Sequence, residues 1–162
     1  MSKYEKFPVI EDHNIPQNRI DKKRTHEKIT FLALARIYCK AKKHQNREDY
    51  SNSGKLSPEL QEKVNRFSKK YPGWKHLELC PQCFEMVVRA EKHASRCPHM
   101  AYKTFCHSCP LPCYSKSHLE EIAQMMRFSG PRLVLHNPLI ALRYIREAVK
   151  ARKLHKKCRC KS

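Results

Sequence analysis

Apolar side chains return at helical intervals along most of this chain, and strict strand-like alternation is absent. From Thr25 to about His44, Phe31, Leu34, Ala35 and Tyr38 fall on one side of a helix, and Ile29, Leu32, Ala33 and Ile37 widen that face. So broad an apolar face predicts a central helix with neighbours on several sides. Ser57-Pro58 offers a cap and a first-turn proline for a second helix, whose stripe is Leu60, Val64, Phe67 and Tyr71. Pro81 opens a third helix with Met86, Val87, Ala90 and Ala94 on one face. Pro98 closes it, because the residue before a proline resists the helical conformation. Ser117 and Glu120 form a capping-box pair ahead of Leu119, Ile122, Ala123 and Met126, with Gly130-Pro131 as the expected stop. Asn137-Pro138 launches a last helix carrying Ala141, Leu142, Ile145, Ala148 and Val149. The predicted class is all-α, with about five helices around an irregular cysteine-rich metal-binding loop at 98–114.

Outside those stripes, residues 1–24 are polar and proline-punctuated, which predicts a flexible N-terminal arm. Residues 25–152 are expected to form one helical metal-binding domain, with 45–76 as an insertion carrying one helix and 153–162 as a basic tail. A chain of 162 residues suits a single core. It has no apolar run of about 18 residues, and its start lacks the layout of a signal peptide. A cytoplasmic location with no membrane partner is therefore expected.

The nine cysteines change the picture most. In the reducing cytosol they read as ligands or reactive groups rather than disulfides, and their odd number would strand one thiol if all were oxidised. Cys80-x2-Cys83 and Cys106-x2-Cys109, with Cys97 and Cys113 nearby, give two short-spaced pairs whose thiolates can each face one ion. One partition joins Cys80, Cys83, Cys106 and Cys109 around a single zinc, as in a zinc ribbon. The other respects the third helix. With a rise of about 1.5 Å per residue, Cys83 and Cys97 stand roughly 20 Å apart. Cys97, Cys106, Cys109 and Cys113 then form one site, and Cys80 and Cys83 draw on Cys39 and His44 at the end of the first helix. Cys39 also fits the pattern of a small core hydrophobe, and His99 or His107 could substitute as ligand. Cys158-x-Cys160 suits a flexible thiol pair.

Zinc is the expected cofactor, because it accepts closed cysteine-rich tetrahedra and would staple a small helical core. A 4Fe-4S cluster is the alternative, since Cys97-Pro98 and Cys109-Pro110 resemble the Cys-Pro steps of cluster proteins.

Charge adds a second theme. The formal net charge is +19, and it crowds the C-terminus, where Lys150, Arg152, Lys153, Lys156 and Lys157 could bind nucleic acid or a partner protein. A solvated tail that confers solubility has the same composition. In "RFSGPRLVLHNP", Arg127, Arg132 and His136 could hold an anion, or the arginines could simply cover helix-end carbonyls. No paired-carboxylate, phosphate-loop or catalytic-triad signature is present, so a non-enzymatic role without an identifiable small-molecule substrate is expected.

Three stretches, "LCPQCFEMVVRAEKHASRCP", "CHSCPLPCY" and "MMRFSGPRLVLHNPLIALRY", together resemble the nitrous oxide-stimulated promoter family of small bacterial proteins. The Cys113-Tyr114 step and the run of Met126, Arg127, Gly130, Pro131, Arg132, His136 and Pro138 carry the resemblance. It implies a role in the response to nitric oxide and nitrosative stress, and it implies no particular reaction.

Overall fold

The computed structural model describes residues 16–98, 100, 113–146 and 149. Helix α1 (Gln17–Ala41) is the central element. Leu32, Ala33, Leu34 and Ala35 are consecutive and all essentially inaccessible, which requires neighbours on every side of that turn. Helices α2 (Pro58–Lys70), α3 (Pro81–Arg96) and α4 (Lys116–His136) supply them, and α1 packs against all three. A fifth helix, α5, runs through residues 138–146. The all-α class is what the structure shows, apart from one small ladder. There β1 (Glu48–Asp49) pairs antiparallel with β2 (Glu78–Leu79), Glu48 opposite Leu79.

Local departures from the predicted elements have identifiable causes. α1 begins at Gln17 rather than Thr25, so residues 17–24 of the expected arm are helical. Their pattern is mostly polar, and surface pairs support it: Gln17 donates to Asp21 at 3.0 Å, and Arg24 pairs with Asp21 at 3.0 Å. Ile20 packs on Ala94, Cys97 and Met100. The cap of α4 is Ser115, whose hydroxyl accepts from the amide of His118 at 3.4 Å, rather than Ser117. α4 also passes through Pro131 instead of stopping there. Proline removes the amide that would bond the Arg127 carbonyl four residues back, and next to it the Arg132 guanidinium donates to the Phe128 carbonyl at 2.6 Å. Fully buried Leu133 holds the continuation to the core.

The segment 45–76 contributes Tyr50, Leu56, Leu60, Val64 and Trp74 to the same core as α1 and α3. Polar ties reinforce it. Lys28 of α1 is buried and pairs with Glu59 of α2 at 2.9 Å, and Thr25 donates to the same carboxylate. The Ser57 hydroxyl, which caps α2, donates to buried Glu91 of α3. The indole N–H of Trp74 donates to the Asn137 side chain at 3.0 Å in a buried pair that joins this segment to the α4–α5 junction. Burying a polar group is tolerable only with such a partner.

Candidate metal centre

The end of α1 is built as a Schellman motif. The amide of Lys43 donates to Lys40 O at 3.1 Å, and that of His44 donates to Cys39 O at 3.1 Å. Lys43 takes the left-handed conformation this requires, with φ 53°. Such motifs bring the third residue from the helix end against the second residue beyond it, commonly as an apolar contact. Here that pair is Cys39 and His44, a thiol and an imidazole.

The other half comes from the ladder. β2 leads directly into Cys80, which caps α3: its Sγ accepts from the amide of Cys83 at 3.5 Å. The amide of Cys80 donates in turn to the Sγ of Cys39 at 3.2 Å. Pro81 sits in the first turn, where the missing N–H costs nothing. Asp49 fixes the ladder by accepting from the amides of Ser51 at 2.9 Å and Leu77 at 3.0 Å. Tyr50 stacks on Phe84, one residue past Cys83, with 3.7 Å between ring centroids.

The outcome is four donors in one place. One ligand atom from each of Cys39, His44, Cys80 and Cys83 lies within 4.8 Å of every other, and Nδ1 of His44 is 3.4 Å from the sulfurs of both Cys80 and Cys83. With bonds of about 2.0–2.3 Å, donors around a tetrahedral ion stand roughly 3.3–3.8 Å apart. The two His44–sulfur pairs are already in that range, and the others, all within 4.8 Å, lie no more than about 1 Å beyond it. The cluster can hold a metal ion.

Burial also bears on the reactivity of these thiols. Burial pushes the thiols of Cys39 and Cys83 above the ordinary cysteine range, with the neighbouring sulfur of Cys80 adding to the effect on Cys83. Buried neutral thiols are poor nucleophiles, whereas coordination to a cation strips the proton outright. The aromatic surroundings are ordered: Tyr38 meets the His44 ring edge-on at 5.4 Å and Phe128 of α4 at 5.5 Å.

The sequence profile described as "Nitrous oxide-stimulated promoter" matches residues 22–157. The chain belongs to this family. All four clustered residues lie inside the matched span, and the family name fits a nitrosative-stress context. An uncharacterized protein, YgbA, of Escherichia coli K12 is 33% identical over 66 residues, 40% of this chain and 56% of that protein. The chain thus spans little more than half the length of that curated relative. No solved structure matches it.

In this nitrous oxide-stimulated promoter family chain, α3 separates the expected ligands as its length demands. Cys97 follows the far end of the helix, buried with Ala94 and Met100, roughly 20 Å of helical rise from Cys83. Cys113 lies just ahead of α4 and is exposed. Cys106 and Cys109, like His99 and His107, fall outside the described residues, and so do Lys150, Arg152, Lys153, Lys156 and Lys157. Of the residues expected at an anion site, His136 is exposed in the last turn of α4. Arg132 lies over the Phe128 ring at 3.9 Å and covers that residue's carbonyl, while Arg127 sits roughly 140° around the helix from it. Periodicity places Tyr38 on the apolar face of α1 and does not mark it as a neighbour of the site. Its position just before Cys39 was the available signal, although it reads equally well as core.

Proposed function

We propose that this is a cytosolic, non-enzymatic metal-binding protein of the bacterial nitric-oxide stress response. In this reading one zinc ion, held by Cys39, His44, Cys80 and Cys83, ties the end of α1 to the start of α3. The single observation that carries it is the mutual closeness of the four donor atoms, all within 4.8 Å. Four protein donors form the closed set typical of structural zinc, with no position reserved for substrate. A four-iron cluster attaches each thiolate to a different iron, so its ligands must stand farther apart than donors sharing one ion. The alternative of a thiol-based nitric-oxide-reactive centre is less well supported, because burial pushes the thiols of Cys39 and Cys83 above the ordinary cysteine range.

The basic surface adds a binding role for nucleic acid or an acidic partner protein. Its support is the net charge of +19 and the run of lysines and arginines after residue 143.

Metal analysis of natively purified protein tests the central claim. One equivalent of zinc without iron is expected. Bound iron with broad visible absorption and no zinc overturns it. For the basic surface, salt-dependent retention on RNA should vanish when residues 150–162 are removed; unchanged retention removes the tail from the proposal.

A further inference from the structure

The four donors are not held alike, and this asymmetry extends the metal-centre reading on which it rests. Cys39, Cys80 and Cys83 are 0%, 5% and 2% exposed. Cys39 lies in α1, Cys80 caps α3, and Cys83 is in the first turn of α3. Displacing any of these sulfurs means repacking a buried side chain within a close-packed core. His44 is different: it is half-buried and lies beyond the helix end. Its segment contains two non-glycine residues in the left-handed region, Lys43 and Asn46, both with φ 53°. That conformation is unfavourable for a lysine. Rotating the His44 ring away costs an edge contact with Tyr38 and leaves the helices in place.

The end of α1 is rich in lysine, while Glu48 and Glu78 stand on the ladder that leads to Cys80. Lys40, Lys42 and Lys43 are all exposed around the end of α1. A divalent ion with three thiolates and a neutral imidazole carries one net negative charge, and a fourth thiolate would add another. These lysines, the Lys42 ammonium lying over the Phe128 ring at 4.8 Å, offset that addition and draw anions toward the end of α1.

We infer that His44 is the exchangeable ligand of the centre, and that the position it vacates admits a small anionic sulfur donor, a low-molecular-weight thiolate. The exchange involves no change of oxidation state. The imidazole leaves with its lone pair, the incoming thiol binds through sulfur, and its proton passes to solvent.

The test uses the full-length chain loaded with zinc, or with cobalt(II) as a spectroscopic stand-in, titrated with 2-mercaptoethanol. Wild type and His44→Ala should each retain one equivalent of metal, whereas Cys83→Ser should not. His44→Ala should release zinc to a chelator faster by about tenfold or more. The cobalt(II) absorption bands of His44→Ala should shift saturably with 2-mercaptoethanol. Replacing Lys40, Lys42 and Lys43 by glutamine in that variant should weaken the response by about threefold or more, with neutral imidazole binding unchanged. Loss of metal from His44→Ala as complete as from Cys83→Ser, while wild type keeps its ion, overturns the inference alone. A wild type that binds no metal defeats the site reading and this inference together.

Discussion

The amide of His44 donates to the carbonyl of Cys39 at 3.1 Å, so the turn that ends α1 also presents two donors to the start of α3. An apolar contact would serve an ordinary helix end at this place. A thiol and an imidazole turn the same geometry into half of a coordination site, and Cys80 and Cys83 complete it from a strand end and a helix start.

Removing one sulfur should therefore undo more than local packing. For Cys39→Ser, bound zinc is expected to fall from one equivalent to near none. The melting temperature should drop by about 10 °C or more, since ion binding is folding free energy in small metal domains. Chelating the metal from wild type should lower it to a similar value. A melting temperature that ignores both treatments would show that the ion does not support the fold.

Lys43 occupies a conformation that glycine adopts freely. Lys43→Gly should stabilise the metal-loaded protein by about 0.5–1 kcal/mol, after allowing for the greater freedom of glycine in the unfolded chain. The urea midpoint is the readout, and metal content should not change. A loss of stability would mean that the lysine side chain contributes something its backbone strain conceals.

The chain's single tryptophan is a built-in reporter. Asn137→Ala leaves the buried indole N–H of Trp74 without its acceptor, at an expected cost of about 1–3 kcal/mol. Equilibrium unfolding should show the loss, and the native fluorescence spectrum should move as the indole surroundings change. An unaltered spectrum with unaltered stability would contradict the contact.

Asp49 sets an acid limit. The Ser51 hydroxyl above all, then the amide of Ser51, the His76 ring and the amide of Leu77, hold its carboxyl well below the usual carboxylate range. A depressed folded-state value means that its contribution is complete above the unfolded value of about 3.9 and is lost as pH falls toward the folded one. Asp49→Asn should thus be less stable than wild type at pH 7, with the gap narrowing below about pH 4. Comparing urea midpoints of the two proteins at each pH cancels the loss of metal common to both. A gap that stays constant into acid would assign the difference to something other than this carboxylate.

The helices were legible because their cause is local. Leu60 and Val64, or Val87, Ala90 and Ala94, repeat at the period of the backbone itself. Boundaries were less so: Ile20 at the start of α1 and Leu133 beyond Pro131 are held by tertiary contacts that no window along the chain contains. In the site, the pairing of Cys80 with Cys83 was visible from a two-residue spacer, and the exclusion of Cys97 from helical rise alone. The join to Cys39 and His44 was one of two partitions that the spacing left open.

By itself, then, the sequence determined the helical class, the thiol pair at the start of α3 and the basic character, because each follows from periodicity, spacing or composition within reach of one turn. Tertiary structure decided that Cys39 stands 3.2 Å from the amide of Cys80, and that Trp74 finds Asn137. It also decided that Arg132 donates to the Phe128 carbonyl. Those outcomes depend on how the whole core packs around α1, where residues 41 and 63 positions apart become neighbours, and local backbone preference carries no information about distance across a core.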